Sequence, residues 1–412
     1  MIIFYIVYVL NYFLNKNSFL CHVLDEVPLI DGHNDLPNNL FEKLGNEITN
    51  FEFDKDLRKD VRFGRQKCDY CYTDLPRLRR GKVGGQFFVA YVPCESQYRD
   101  AVAKTLEQID VIKRLVFKYP NHLQLVTSVA GIWDAFNKSK LACLISVEGG
   151  HSIDSRLSIL RTYYELGVRY LTLTHACSTP WLFIYVYFLI SNINNYFFRA
   201  DNSWELHPIK NLTKFGEMIV KEMNRLGMLV DLSHVSPPVM ERAIRISKAP
   251  VIFSHSAAYS LCPHNRNVPD KILRMLKLNN GIIMIVFHNE FVTPNVLEAT
   301  LGDVARQINY VVNLIGINHV GIGADYDGVP FMPKGLEDVS KYPDLFDYLK
   351  KRNPRRWTSE NLKKLAGLNF LRVLRTAERI RDRLRGQNAY ENHIQKYDLQ
   401  KIGPLAFRCR TA

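Results

Sequence analysis

The run VPLIDGH (27–33) decides how this chain is read. An apolar, β-branched stretch of strand length ends in a polar residue, and a helical pattern follows it. The same kind of unit recurs at GGQFFVAYV (84–92), ACLISVEG (142–149), YLTLTH (170–175), MLVDLSH (228–234), PVIFSH (250–255), GIIMIVFH (281–288) and HVGIGADYDG (319–328). Continuous apolar runs, rather than strict alternation, mark strands covered on both faces, as parallel strands are. The intervening segments repeat at helical spacing. Val102, Leu106, Ile109, Ile112, Leu115 and Val116 line one face of 101–117, and 213–226 and 300–314 behave similarly. Eight β-then-α units predict an α/β fold, a (β/α)8 barrel of the TIM type, with an open doubly wound sheet as the alternative. A helical segment over 343–384 packs outside that barrel, so one domain spans 25–385, and the tail 386–412 is polar and loosely held.

In such barrels, reactive side chains stand where the strands end, on one shared face. Six of the eight runs end in an unusual set: His33, Asn34 and Asp35; Glu148; His175; His234; His255; and Asp325 with Asp327. Alternate residues of a strand point the same way, so His33 and Asp35 both face the mouth and offer one nitrogen and one carboxylate to a single ion. His234 and His255 can serve a second ion, and Glu148, with two oxygens, is suited to bridge both. Metal pairs about 3.5–4 Å apart activate water and polarise a carbonyl, and imidazole with carboxylate suits zinc. A lone histidine at a strand end is usually just a hydrogen-bonded polar group. The distribution over separate strands is what points to metal.

The bulk numbers exclude some classes. A chain of 412 residues with 47% hydrophobic residues can bury a large core without disulfides. The formal charge of +13 raises the question of nucleic acid, but the Lys and Arg are dispersed. The densest clusters, RLRRGK (77–82) and KKRNPRR (350–356), lack interleaved aromatics, so solvated faces are expected and no nucleic-acid partner. Eight irregularly spaced cysteines define neither a small disulfide scaffold nor a zinc ribbon. The apolar N-terminus, within 1–24, has the length of a signal-peptide core and falls short of the about 20 residues a comfortable span needs. A secretory signal or a short anchor is expected there. Sequons at Asn137 and Asn211 fit a secreted glycoprotein.

The ordered motifs LIDGHNDLP (29–37), VGGQFF (83–88), SVEGGHSID (146–154), RYLTLTHACSTPW (169–181), DLSHVS (231–236), APVIFSHSAAYSLC (249–262), RNVPD (266–270), GADYDGVP (323–330) and LEDVSKYPDL (336–345) strongly resemble the membrane dipeptidase family, the renal-type zinc dipeptidases. The resemblance covers about 25–380. It implies two zinc ions per subunit, bridged by Glu148 and a water or hydroxide, with His33 and Asp35 on one ion and His234 and His255 on the other. It places His175 beside the substrate as an oxyanion stabiliser. Arg266 would grip the substrate carboxylate, and Asp325 would shuttle the proton from water to leaving amine. Dipeptides with a free carboxylate are the implied substrates. A catalytically impaired surface or binding protein, or a related amide or lactam hydrolase, are the alternatives.

The same resemblance pairs Cys94 with Cys177 and makes Cys409 the link between the subunits of a homodimer; the partner region expected for Cys262 holds no cysteine. Disulfides place maturation in an oxidising compartment, hence an extracellular or cell-surface protein. Family members commonly carry a glycolipid anchor, and no apolar tail for one follows Cys409, so membrane association would rest on an anchor not visible here. One stretch departs from the pattern. Family members read TPWADN, whereas here TPW ends at Trp181 and ADNSW resumes at Ala200. The intervening Leu182 to Arg199 is apolar, and reads either as a flap over the site or as a retained in-frame intron. A membrane span there would put the two halves of one barrel on opposite sides of a bilayer.

Overall fold

Parallel strands cannot be joined by tight turns, so each needs a crossover, and this chain supplies a helix or long loop after each strand. The computed structural model describes residues 23–64, 71–182 and 212–395. Its strands are β1 (Leu29–Asn34), β2 (Val83–Tyr91), β3 (Leu123–Leu125), β4 (Leu141–Glu148), β5 (Val168–Thr172), β6 (Leu229–Asp231), β7 (Ile252–Ser256), β8 (Ile282–Ile285) and β9 (Val320–Ile322). All pairings between them are parallel, in the order β2-β1-β9-β8-β7-β6-β5-β4. The ring closes through β2 and β4, from Gly85 opposite Ala142 to Tyr91 opposite Glu148. The expected eight-stranded barrel is therefore present and the open sheet is not. The short β3, which adds to the start of β4, was not anticipated. Three residues of HLQLV carry too little apolar pattern to announce a strand.

Alternation along each strand divides the core in two. Ile30, Phe87, Ala142, Leu144, Tyr170, Leu229, Ile252, Ile282 and Met284 are buried together as the barrel's filling. Their neighbours Cys143, Ile145, Val147, Ile283 and Ile285 face the other way, in the larger cluster shared with Val111, Ile112 and Leu115 of helix Ala101–Lys118 and Val304, Ile308 and Val311 of helix Leu301–Ile315. The helix boundaries have local causes. Thr300 and Asp303 form a capping box at the start of Leu301–Ile315. Gly227, at φ 77°, ends Lys214–Leu226 in the left-handed conformation that glycine adopts without steric cost.

The C-terminal helices do more than coat the barrel. Phe370, Leu371, Val373, Leu374 and Ala377 of helix Asn369–Arg383 belong to the cluster that fills the barrel, and Phe370 meets Phe87 edge-on at 5.4 Å. Asn369 donates to the carbonyls of Ile317 and Val320, and Arg372 to those of Asn280 and Asn318, all at or just before the starts of strands. This helix stoppers the N-terminal end, opposite the mouth where reactive residues collect. Gly367, just before it, lies so near the Pro28 carbonyl that a Cβ would collide. The described part of the expected loose tail is held, because Arg161 reaches the Tyr390 carbonyl at 2.9 Å, Glu222 accepts from the Tyr390 amide, and Ile394 is buried against the core.

Replacing Phe370 by alanine opens a cavity under the stopper and is expected to cost about 3–5 kcal/mol of unfolding free energy, read from the urea midpoint at unchanged m-value.

Candidate metal centre

The strand ends converge as the sequence predicts. His33 and Asp35 come from β1 and the turn after it, Glu148 from the last position of β4, His255 from β7, and His175, His234 and Asp325 from the loops after β5, β6 and β9. The Glu148 carboxylate divides between two sets of nitrogens. Its Oε2 lies 3.7 Å from His33 Nε2. Its Oε1 lies 3.1 Å from His234 Nε2 and 3.4 Å from His255 Nε2. Asp35 Oδ2 is 3.2 Å and Asp325 Oδ1 3.7 Å from His33 Nε2, and the Nε2 atoms of His234 and His255 are 2.8 Å apart. Three overlapping groups could each hold an ion: His33, Glu148 and His255; Glu148, His175 and His234; and His33, Asp35 and Asp325. All five residues expected as ligands fall in these groups, and so do His175 and Asp325, which the resemblance implied for substrate chemistry.

The imidazoles are turned by groups the sequence reading did not single out. Tyr170 donates its hydroxyl to the Gly32 carbonyl at 2.8 Å and lies 3.1 Å from His33 Nδ1. Its proton is spent on the carbonyl, so it accepts from His33 Nδ1–H, and Nε2 is the nitrogen turned to the site. The same logic holds at His255. Ser254 donates to Asp231 Oδ2 at 2.7 Å and accepts from His255 Nδ1 at 2.8 Å. Asp231 also accepts from Thr172 Oγ1 and from the amides of Ser233 and Ser254. A carboxylate inside an otherwise apolar strand, as in MLVDLSH, is the signal that could have flagged it. His234 and Asp325 adopt φ of 66° and 69°, a left-handed conformation uncommon for such residues and concentrated at functional sites.

Electrostatics at the mouth call for a cation. Burial pushes Glu148 up to about 8 and Asp325 to about 7, despite the opposing pull of His33. At His33 burial pushes downward, but Glu148, Asp35 and Asp325 overcome it and hold the ring at about 10. Burial drives His175 down to about 3 and His234 and His255 well below their ordinary value. His33 Nε2 and Glu148 Oε1 are buried without a hydrogen-bond partner. Crowded carboxylates, neutral imidazoles and unpartnered donor atoms facing one another fit a divalent metal.

Arg266 is buried beside β7, where Nη1 donates to Ser256 Oγ at 2.8 Å and Nη2 to the His255 carbonyl at 2.7 Å. Burial lowers it only to about 10, so it stays charged at neutral pH. Asp327, the other acid noted on the last strand, joins none of the three groups. It accepts from the Tyr72 amide at 3.0 Å and from Asn39 at 3.2 Å, and ties down the loop before helix Leu75–Arg80. Cys94 and Cys177 form a disulfide with Cα atoms 5.6 Å apart, which joins the segment after β2 to the loop that carries His175. Cys262 is free and buried. Cys409, the Asn211 sequon, the signal segment up to residue 22 and residues 183–199 of the insertion lie outside the described residues. The insertion's near flank, Trp181 and Leu182, is buried, and Leu182 pairs with Leu212.

A closed parallel barrel with a histidine–carboxylate centre at the C-terminal ends of its strands defines a metal-dependent hydrolase. The family model for membrane dipeptidase, peptidase family M19, matches residues 18–388. Dipeptidase 3 of Mus musculus is 45% identical over 369 residues, 90% of this chain and 68% of its own. Dipeptidase 3 of Homo sapiens is 44% identical, covering 88% and 68%. In fold, the chain is similar to the probable dipeptidase PvdM of Pseudomonas aeruginosa (TM-score 0.71, 18% identity, 89% of this chain and 99% of that one). It is also similar to a metallo peptidase from Rhodobacter sphaeroides, solved with a phosphinate mimic of L-Ala-D-Ala (TM-score 0.70, 22% identity, 85% and 99%). The chain belongs to the membrane dipeptidase family and is an enzyme of the metallo-dipeptidase class. Among the described residues no helix is long and apolar enough to cross a membrane.

Two outcomes follow from this geometry. Ser254→Ala removes the acceptor of His255 Nδ1–H and is expected to weaken metal binding roughly 10–100-fold, measured by competition with a chelator. Loading a divalent ion into metal-free protein at pH 7 is expected to release protons, because His33 and Glu148, held at about 10 and 8, must give them up. Calorimetry in buffers of different ionisation enthalpy counts them.

Proposed function

We propose that this chain is a zinc dipeptidase that cleaves dipeptides with a free C-terminal carboxylate. The observation that supports it most is the division of the Glu148 carboxylate between His33 on one side and His234 with His255 on the other. That is the arrangement a residue shared by two ions requires. His33 and Asp35 would hold one zinc, His234 and His255 the other, with Glu148 common to both. The ions supply Lewis acidity that activates a water molecule and polarises the peptide carbonyl.

The protein's own residues do the rest. Arg266, pinned by Ser256 and the His255 carbonyl, holds the substrate carboxylate and so fixes where the peptide bond lies. Asp325, raised to about 7, is poised both to take a proton from water and to return it to the leaving amine. His175, neutral and half-buried, donates to the carbonyl oxygen as charge develops on it. We further infer a secretory route, supported by the Cys94–Cys177 disulfide, and a homodimer linked through Cys409.

Metal analysis of the purified chain together with hydrolysis of a simple dipeptide tests this reading. The expected result is two zinc ions per subunit and turnover abolished by chelation. A folded sample that retains no metal points instead to the binding-protein alternative. Arg266→Ala is expected to raise KM at least about 30-fold, as loss of a buried charge partner costs roughly 2–5 kcal/mol. Asp325→Asn is expected to lower kcat by about 10²–10⁴. Equal losses in both parameters for both variants contradict these roles.

A further inference from the structure

His288 ends the seventh sequence run, GIIMIVFH (281–288), yet no role in the chemistry above uses it. It is 7% exposed, and its Nδ1 is buried without a hydrogen-bond partner. Its place in the barrel is specific. Just before it, the Val286 amide bonds the Ser256 carbonyl at the end of β7, and the Phe287 amide bonds the Ala324 carbonyl next to Asp325. His288 therefore stands at the mouth between the strand that anchors Arg266 and the one that leads to Asp325. Phe287 turns outward onto Tyr326 and Tyr342. The backbone at His288 is extended, so its ring turns the opposite way, toward the mouth. There it packs on Phe291 at 4.5 Å, and the Arg266 guanidinium covers the same Phe291 ring at 5.6 Å. His288 belongs to none of the groups that could hold an ion.

Arg266 alone meets only part of a carboxylate. Nη1 and Nη2 each spend one N–H on Ser256 and the His255 carbonyl, Nε is buried and unpartnered, and a planar fork presents at most two of its remaining N–H groups to one carboxylate. A carboxylate has about four lone-pair sites to satisfy. We propose that His288 is a substrate-binding residue, whose imidazole N–H donates a second hydrogen bond to the dipeptide carboxylate gripped by Arg266. This rests on the dipeptidase reading given above. Burial, then Arg266 and His264, lower the ring to about 4, so it is neutral at working pH. A neutral ring keeps one N–H to donate and adds no repulsion beside the guanidinium. It also makes the pocket sensitive to the position of the carboxylate, because two donors on different strands must both be met.

The test is calorimetric binding to the zinc-loaded full chain, with a phosphinic dipeptide mimic and its counterpart lacking the carboxylate. His288→Ala is expected to weaken the carboxylate compound about tenfold or more, the scale of a hydrogen bond to a charged group, and to leave the counterpart unchanged. His288→Gln, which keeps a donor, recovers part of the loss, and zinc content equal to wild type reports an intact site. Equal loss on both compounds, or none on the carboxylate compound, overturns the inference. If the mimic fails to bind wild type, the dipeptidase reading itself falls. If Arg266→Ala removes the preference for the carboxylate and His288→Ala does not, only the role of His288 falls.

Discussion

Three carboxylates, Asp35, Glu148 and Asp325, share a buried space with the rings of His33 and His255, bordered by the half-buried rings of His175 and His234. Like charges removed from water repel strongly, and such a cluster persists only if a cation or a proton sits among its members. Everything else in the mouth answers this requirement. His33 is held by its carboxylate neighbours as an imidazolium cation, and the other three rings stay neutral and present lone pairs. Arg266 supplies a fixed positive charge at the border, not at the centre.

The barrel makes that concentration of polar groups tolerable by grading its interior. At the N-terminal end the filling is apolar and sealed by helix Asn369–Arg383. Midway, Tyr170, Thr172, Asp231 and Ser254 form a hydrogen-bonded layer in which each proton has an assigned acceptor. Above that layer come the histidines and carboxylates. The middle layer keeps the imidazole tautomers aligned, so the apolar floor and the ligating mouth meet through groups that satisfy both. The mouth is also braced from the side. The Cys94–Cys177 bond ties the loop of His175 to β2, Gln97 donates to the Ser178 carbonyl, and Asp327 anchors the loop that begins at Tyr72.

Much of this was legible from the chain alone. Strands buried on both faces cannot alternate, so their apolar runs and polar ends were visible one after another, and the motifs named the family before any contact was known. The roles that escaped notice belong to residues whose type is ordinary and whose partners are remote in sequence. Tyr170 looks like strand filling, and its partner His33 lies 137 residues away. Ser254 looks like a spacer before His255, and only its bond to Asp231 gives it meaning. Asp327 shares a motif with Asp325, but register sends one into the mouth and the other into a loop. The stopper helix showed its amphipathic pattern, but not which end of the barrel it covers.

The sequence by itself determined the eight strand-to-helix units and the order of the histidines and carboxylates that end them, because hydrophobic period and side-chain chemistry are local properties. Tertiary structure alone decided how those residues share space: that the two oxygens of Glu148 face different nitrogens, that His234 and His255 approach to 2.8 Å, and that His288 stands between Arg266 and Asp325. Closure of β2 onto β4 sets these relations, since it turns a linear series of strand ends into a ring whose members converge. Convergence, and the shared burial that comes with it, is what converts a set of ordinary acids and imidazoles into a site that demands a metal.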